Sequence, residues 1–402
     1  MANEIVWYDS SETGAPTLNN AAGSLIGVLD ACLITGFRLQ TLTSVVVASN
    51  VATATLSGHG YSDARMLDIA GAGTGAINGR KKITVTGAGT FTFPAPGVSD
   101  GTISGTITAK RSPLGWTKPA SGTNKAIYQR SDVTATGMLL RLDDTSTGSS
   151  LNYARALMLE SYTDIDTYVA TASGPSGGQY WPRGYNNDTV AKVWVLVGDG
   201  KTFYFYTDLC NAASSGSSFT SGGTAGLQAN WFGDIVSYRS ADAYKCICAG
   251  QASAAGVSNP GFSTIYAPGS TSMSNSGTLH LAREASQLSG SGRQAGLVGL
   301  GGTSGSLPAW SGGGYPVYPS PVDNGMDIHY PVRVAENSST FSYPLRGYLR
   351  GVYQPLMGLG RSYHLQRFSN LVGSDRELLC ITTASGSLAG NLMFDITGPW
   401  ES

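Results

Sequence analysis

The stretch Gly14–Phe37, GAPTLNNAAGSLIGVLDACLITGF, decides how the rest of the chain reads. Leu25, Leu29 and Leu33 recur every four residues with Ile26 and Val28 beside them, an apolar stripe at helical period. Asn19 or Asn20 stands where an N-cap accepts from free backbone N–H groups. Gly36 stands where helices commonly end in the left-handed conformation. Gly23 and Gly27, four apart, cost a helix about 1 kcal/mol each against alanine. Their spacing predicts close backbone approach, which makes them candidate packing and interface positions. A lone helix of about four turns is marginal in water. It must therefore dock on the chain beyond Phe37, where the apolar pattern changes to period two.

Before the helix, Ile5-Val6-Trp7-Tyr8 reads as a strand or arm. Residues 1–41 are expected to be this arm and helix, part of a main domain. Residues 42–110 read as an inserted β module, a small barrel or sandwich of about six strands. LTSVVVASNVATATLS gives two strands around a tight Ser49-Asn50 turn, and Arg65–Ala70, Lys81–Thr86, Thr90–Phe93 and Thr102–Ala109 supply the others. Residues 111–402 read as the main β domain with long Gly/Ser-rich loops. There PLGWTKPASGTNKAIYQR reads as loop, and Met138–Asp143 and Ala154–Ser161 as strands. VAKVWVLVGDGKTFYFYTD is the clearest hairpin, with Asp199-Gly200 expected to supply positive φ angles at the turn. Residues 211–230 and 250–315 read as loop-rich. The fold class expected is mainly β: a multi-domain β-sandwich or barrel with one N-terminal helix and a small inserted β module.

Composition narrows the function. Charged residues are 13% of the 402-residue chain, about half the usual share, and there are 54 glycines. A free monomer normally carries more charge for solubility, so this balance suits a surface covered by neighbouring subunits. Net charge is −1 with no basic block, so no nucleic-acid partner is expected. No run approaches the roughly 18 apolar residues of a membrane helix, so no membrane partner is expected. The start, MANEIVWYDSS, has neither the basic nor the apolar region of a secretory signal. The five cysteines, Cys32, Cys210, Cys246, Cys248 and Cys380, are odd in number and widely spaced. They read as buried thiols and not as a disulfide or metal framework.

Catalytic and ligand-binding patterns are sparse. Asp143-Asp144 and Asp164/Asp166 are the carboxylate pairs that could serve a cation or acid–base chemistry. Turn capping is the plainer reading of both. The four histidines, His59, His280, His329 and His364, are isolated, and Gly290, Gly292 and Gly296 lack the strand–helix context of a nucleotide site. No cofactor and no catalytic set is expected. GQYWPRGYNND and SGGGYPVYPSP place Tyr180, Trp181, Tyr185, Tyr315 and Tyr318 beside Gly and Pro in loops. These rings are the candidates for an interface or for stacking on a sugar.

Several stretches, in this order, resemble uncharacterised virion proteins of tailed bacteriophages. They are GAPTLNNAAGSLIGVLDACLITGF, PLGWTKPASGTNKAIYQRSD, MLLRLDDT, KVWVLVGDGKTFYFY and the ending FDITGPW. VATATLSGHGYSDARMLDIAGAGTGAINGRKKITVTGAGTFTFPAPG is similar to small β modules of phage tail and baseplate proteins. The resemblance implies a structural subunit, a tail or baseplate component of a symmetric multimer, located in the virion and assembled in the bacterial cytoplasm. Its partners would be copies of itself and other virion structural proteins. It supplies no catalytic residues. Two alternatives stay open: a head-decoration or minor capsid protein, and a virion protein that binds a receptor or host-surface glycan.

Overall fold

The computed structural model describes residues 4–147, 152–171, 176–184, 189–208, 227–251, 279–284, 293–298, 319–320, 322–326, 328–336, 345–355, 363–369, 371, 375–385 and 388–401. These residues form five antiparallel sheets, so the protein is mainly β. The largest sheet has ten strands in the order Val6–Asp9, Trp194–Gly198, Thr202–Asp208, Leu227–Asp234, Cys246–Ala249, Leu279–Leu281, Arg293–Val298, Arg333–Glu336, Leu345–Tyr348 and Val236–Ser237. Its two hairpin strands, Trp194–Gly198 and Thr202–Asp208, are buried at every residue. A sheet covered on both faces needs nearly continuous apolar strands, which VWVLV and FYFY are.

Alternate side chains enter two different cores. Val195, Val197, Tyr204, Tyr206 and Trp231 pack with Leu379, Ile381, Leu392, Phe394 and Trp400. The last five belong to or lie just beyond a five-stranded C-terminal sheet built around Glu377–Ser385 and Leu388–Asp395. On the other face, Trp194, Leu196, Phe203, Phe205 and Phe232 pack with Leu25, Leu29 and Leu33 of the helix and with Tyr128, Leu140 and Trp181. The latter three lie in a six-stranded sheet of Thr117–Gly122, Lys125–Gln129, Leu139–Asp143, Asn152–Tyr162, Tyr168–Ala170 and Gln179–Gly184. The ten-stranded sheet is thus the middle of three layers.

The helix does dock on β structure, but its ends differ from expectation. Ser24–Leu29 is α-helical and Asp30–Thr35 continues as a wider π-helix. No side chain of its own segment caps it; Gly23 is the N-cap at φ 83. The Asp144 carboxylate, from a strand end far along the chain, accepts from Leu25 N at 3.0 Å and Ile26 N at 3.4 Å. Asn19 Oδ1 instead accepts from Ala21 N at 2.9 Å, and the buried Asn20 amide caps nothing. Gly36 takes a positive φ, 71, but its ψ of 177 places it outside the left-handed helical region.

Residues 42–109 share one core that includes Val45, Val47, Leu67, Ile69, Phe91 and Phe93. Two sheets enclose it. One orders Phe37–Thr41, Thr108–Arg111, Met66–Ala70 and Gly79–Lys82; the other orders Thr84–Gly87, Thr90–Pro94, Val51–Thr55, Ser44–Ala48 and Gly101–Thr102. Lys81–Thr86 and Thr102–Ala109, read as single strands, are each split. At buried Ile83 and Ile107 the chain steps from one sheet to the other. Ser49 and Asn50 turn at φ 52 and 63, joining Ala48 to Val51 as a tight hairpin.

Three loop readings fail. PLGWTKPASGTNKAIYQR contains the hairpin Thr117–Gly122/Lys125–Gln129, with Asn124 at φ 53 in its turn. QYWPRG lies in a strand paired with Asn152–Tyr162. Leu279–Leu281 and Arg293–Val298 extend the central sheet through a stretch rich in Gly and Ser. In each case cross-strand pairing overrides local glycine, serine and proline content. The Asp199-Gly200 turn closes without positive φ: Asp199 Oδ1 accepts from Lys201 N at 2.8 Å and Thr202 N at 2.9 Å instead.

Candidate functional site

The residues singled out from sequence do not converge. Gly23 meets Asn124, since a Cβ there would lie 2.3 Å from Asn124 Oδ1. Gly27 is exposed with open space above it, so no close approach explains it. Trp181 is fully buried, and its indole N–H donates to Ala249 O at 2.8 Å. It is a core ring joining two layers and cannot stack on a ligand. Tyr180, next to it on the strand's other face, lies under the Arg155 guanidinium at 3.7 Å and edge-on to Tyr153. Tyr185, Tyr315, Tyr318 and Cys210 lie outside the described residues.

The carboxylate pairs are engaged in structure. Asp144 caps the helix and pairs with buried Arg183 at 2.5 Å. Burial pushes its carboxyl up to about 6, against the pull of Arg183 and the two helix amides. Asp143 and Asp166 share Lys125 and Arg141, with Arg141 at 3.5 and 2.9 Å. Asp164 closes a turn by accepting from Asp166 N and Thr167 N. His59 is packed against Tyr61 and Phe91. Cys32, Cys246, Cys248 and Cys380 are buried free thiols. Among the described residues no group of His, Cys, Asp or Glu could hold a metal, and no helix is long and apolar enough to cross a membrane.

Many of the few charges are turned inward. Arg65 and Arg111 meet Asp9 and Glu12, Arg130 meets Asp234, Arg346 meets Asp242 and Glu336, and Arg350 meets Asp199. All of these side chains are nearly inaccessible to solvent. Such pairs specify which elements meet, whereas their net contribution to stability is small or negative. Their burial leaves the surface poorer in charge than composition alone states.

Two surfaces stand out. The first is the outer face of the sheet containing Val46. Thr84, Thr92, Thr53, Val46 and Thr102 line up across its five strands, one opposite the next. Thr55, Thr90, Ala48, Val51 and Pro94 flank that row, and no strand residue on this face is charged. Val46 and Val51 are exposed by 41% and 44%.

The second is a polar groove of about 480 Å³ between residues 134–137 and 237–245. Two buried acids set its walls. Asp234 accepts from Thr136 N and Thr136 Oγ1, both at 2.7 Å, and also holds Arg130. Asp242 receives Arg346 through both oxygens, at 2.7 and 2.8 Å, and Ser237 Oγ at 2.8 Å. Ala241 sits at φ 55 in the second wall, a conformation an L-residue holds only when its surroundings impose it. The sequence reading missed this groove, because residues 134–137 come from the six-stranded sheet and residues 237–245 from the ten-stranded one. It also missed an aromatic strip. Tyr238, Tyr348, Tyr330 and Tyr353 succeed one another at 5.8, 6.1 and 4.3 Å, and two of their hydroxyls donate to Glu401 Oε2. Compared with protein families and with curated proteins, the chain matches none.

Proposed function

We propose that the chain is a structural subunit of a tailed-bacteriophage virion, a tail or baseplate component that acts by contact within a symmetric multimer. The observation that carries the reading is the uncharged Thr/Val sheet face, on a chain that spends much of its scarce charge inside. Five strands about 4.8 Å apart and five residues of about 3.4 Å make this face roughly 300 Å². A stable interface takes about 800 Å² per partner. The face is therefore the centre of a contact and not the whole of it, which suits repeated contacts in a ring or lattice. The resemblance of the 51–97 stretch to phage tail modules favours tail over head; head decoration is the rival location.

Glu at Val46 and Thr53 tests the reading. The double substitution V46E/T53E is expected to leave the melting temperature within a few degrees and to cut incorporation into particles, or self-association by light scattering, at least tenfold. Unimpaired incorporation would count against it, and immunogold labelling of intact particles decides tail or head. A second reading, a virion protein that binds a host-surface glycan, is favoured by the polar groove beside residues 237–245.

A further inference from the structure

We infer that Lys192 and Asn20 join in an intramolecular isopeptide bond, which makes this pair a site of self-modification. The bond is independent of the virion reading.

The Asn20 amide is the anomaly that points there. Asn20 is buried, and neither its Oδ1 nor its Nδ2 has a hydrogen-bond partner among the described residues. A buried amide left unpaired at both atoms is costly and calls for a cause. Its neighbour is a buried amine. Leu18, two residues before Asn20, bridges Lys192 in antiparallel register, and Lys192 N donates to Leu18 O at 2.8 Å. Lys192 is only 2% exposed.

Gly184, at the end of the strand Gln179–Gly184, shows how near the two side chains come. A Cβ on Gly184 would lie 2.6 Å from Lys192 Cε and 2.7 Å from Asn20 Oδ1. These two atoms are therefore no farther apart than those lengths laid end to end. Glycine leaves the space between them open, and a rotamer change at the lysine's flexible end carries Nζ into it. Lys192 need not be without other partners for this; the group left over is the Asn20 amide.

The chemistry closes without a co-reactant. Nζ, as the neutral amine, attacks Asn20 Cγ. A Cγ–Nζ bond forms, the Cγ–Nδ2 bond breaks, and Nδ2 leaves as ammonia with a proton that the amine gives up. Nothing is oxidised or reduced. Holding both groups in one place makes the step intramolecular, and their burial keeps competing water away. The product has a single N–H where the amide and the ammonium together had five, so fewer buried donors need partners. The bond ties the segment that enters the helix to the chain that enters the strand Trp194–Gly198.

The test is the intact mass of the denatured full chain, which is expected to be lighter by one ammonia than its sequence requires. Trypsin is expected to release residues 1–38 joined to residues 184–201, uncut at Lys192. Lys192→Arg and Asn20→Ala are each expected to show the full mass of their own sequence. The linkage in wild type is read from the peptides whether or not the variants fold. A wild-type chain that keeps its full mass after prolonged incubation at neutral pH overturns the inference. So does a loss of ammonia that persists in Lys192→Arg, which is cyclisation of an asparagine on its own backbone, or a branched peptide that joins other residues.

Discussion

Asp144 shows how much one buried carboxylate can organise. It caps the helix, pairs with Arg183, and its carbonyl accepts from Gly23 N at 3.1 Å. Asp144→Ala would strand the Arg183 guanidinium and two helix amides, an expected loss of about 3–5 kcal/mol in urea unfolding. Adding Arg183→Met should restore part of that loss, because the uncompensated charge goes with it. A double variant no better than the single would refute the pairing. The pH dependence has a definite sign. The folded carboxyl, at about 6, lies above its ordinary 3.8, so the folded chain holds the proton more tightly between those values. Wild type should therefore lose stability relative to Asp144→Asn as pH rises from about 4 to about 6, by up to about 3 kcal/mol. From sequence, Asp144 was legible as one of an adjacent acid pair and as a structural carboxylate. Its partners were not, since Arg183 and Leu25 are distant in the chain and only pairing of strands brings them together.

At the scale of elements, the helix contains a clean contrast. Gly23 holds φ 83 with Asn124 Oδ1 against it, whereas Gly27 is helical, exposed and faces open space. Gly27→Ala should stabilise the protein by about 1 kcal/mol, the difference in helix propensity. Gly23→Ala should destabilise it by about 1–2 kcal/mol, the cost of a left-handed L-residue, before any clash with Asn124. Thermal melts of the two variants should move in opposite directions; a shift in the same direction would contradict this contrast. Sequence alone gives both glycines the same role, because helical spacing cannot say which side of the helix a neighbour occupies. The hairpins divide in a similar way. Ser49-Asn50 was readable because both residues themselves adopt the positive φ of the turn. Asp199-Gly200 misled because the Asp side chain, and not a left-handed backbone, closes it.

At the scale of the whole molecule, the N-terminal arm ties the small β module to the layered body. Glu12 accepts from Arg111 Nε at 2.5 Å and lies 3.5 Å from Arg65, whose guanidinium sits 3.1 Å over the Trp7 ring. Glu12→Gln leaves Arg111 buried beside a neutral amide and should lower stability by about 3 kcal/mol. A guanidinium midpoint equal to wild type would mean that the arm does not couple the two parts. The mainly β class, the docking of one helix and the Ser49-Asn50 hairpin were all settled by the sequence itself, because apolar period and turn chemistry are local properties. The three-layer order, the inward turning of the charges, the uncharged threonine face and the polar groove were settled only by tertiary structure. Each depends on which distant strands become neighbours, and backbone pairing across tens of residues leaves no periodic mark on the chain.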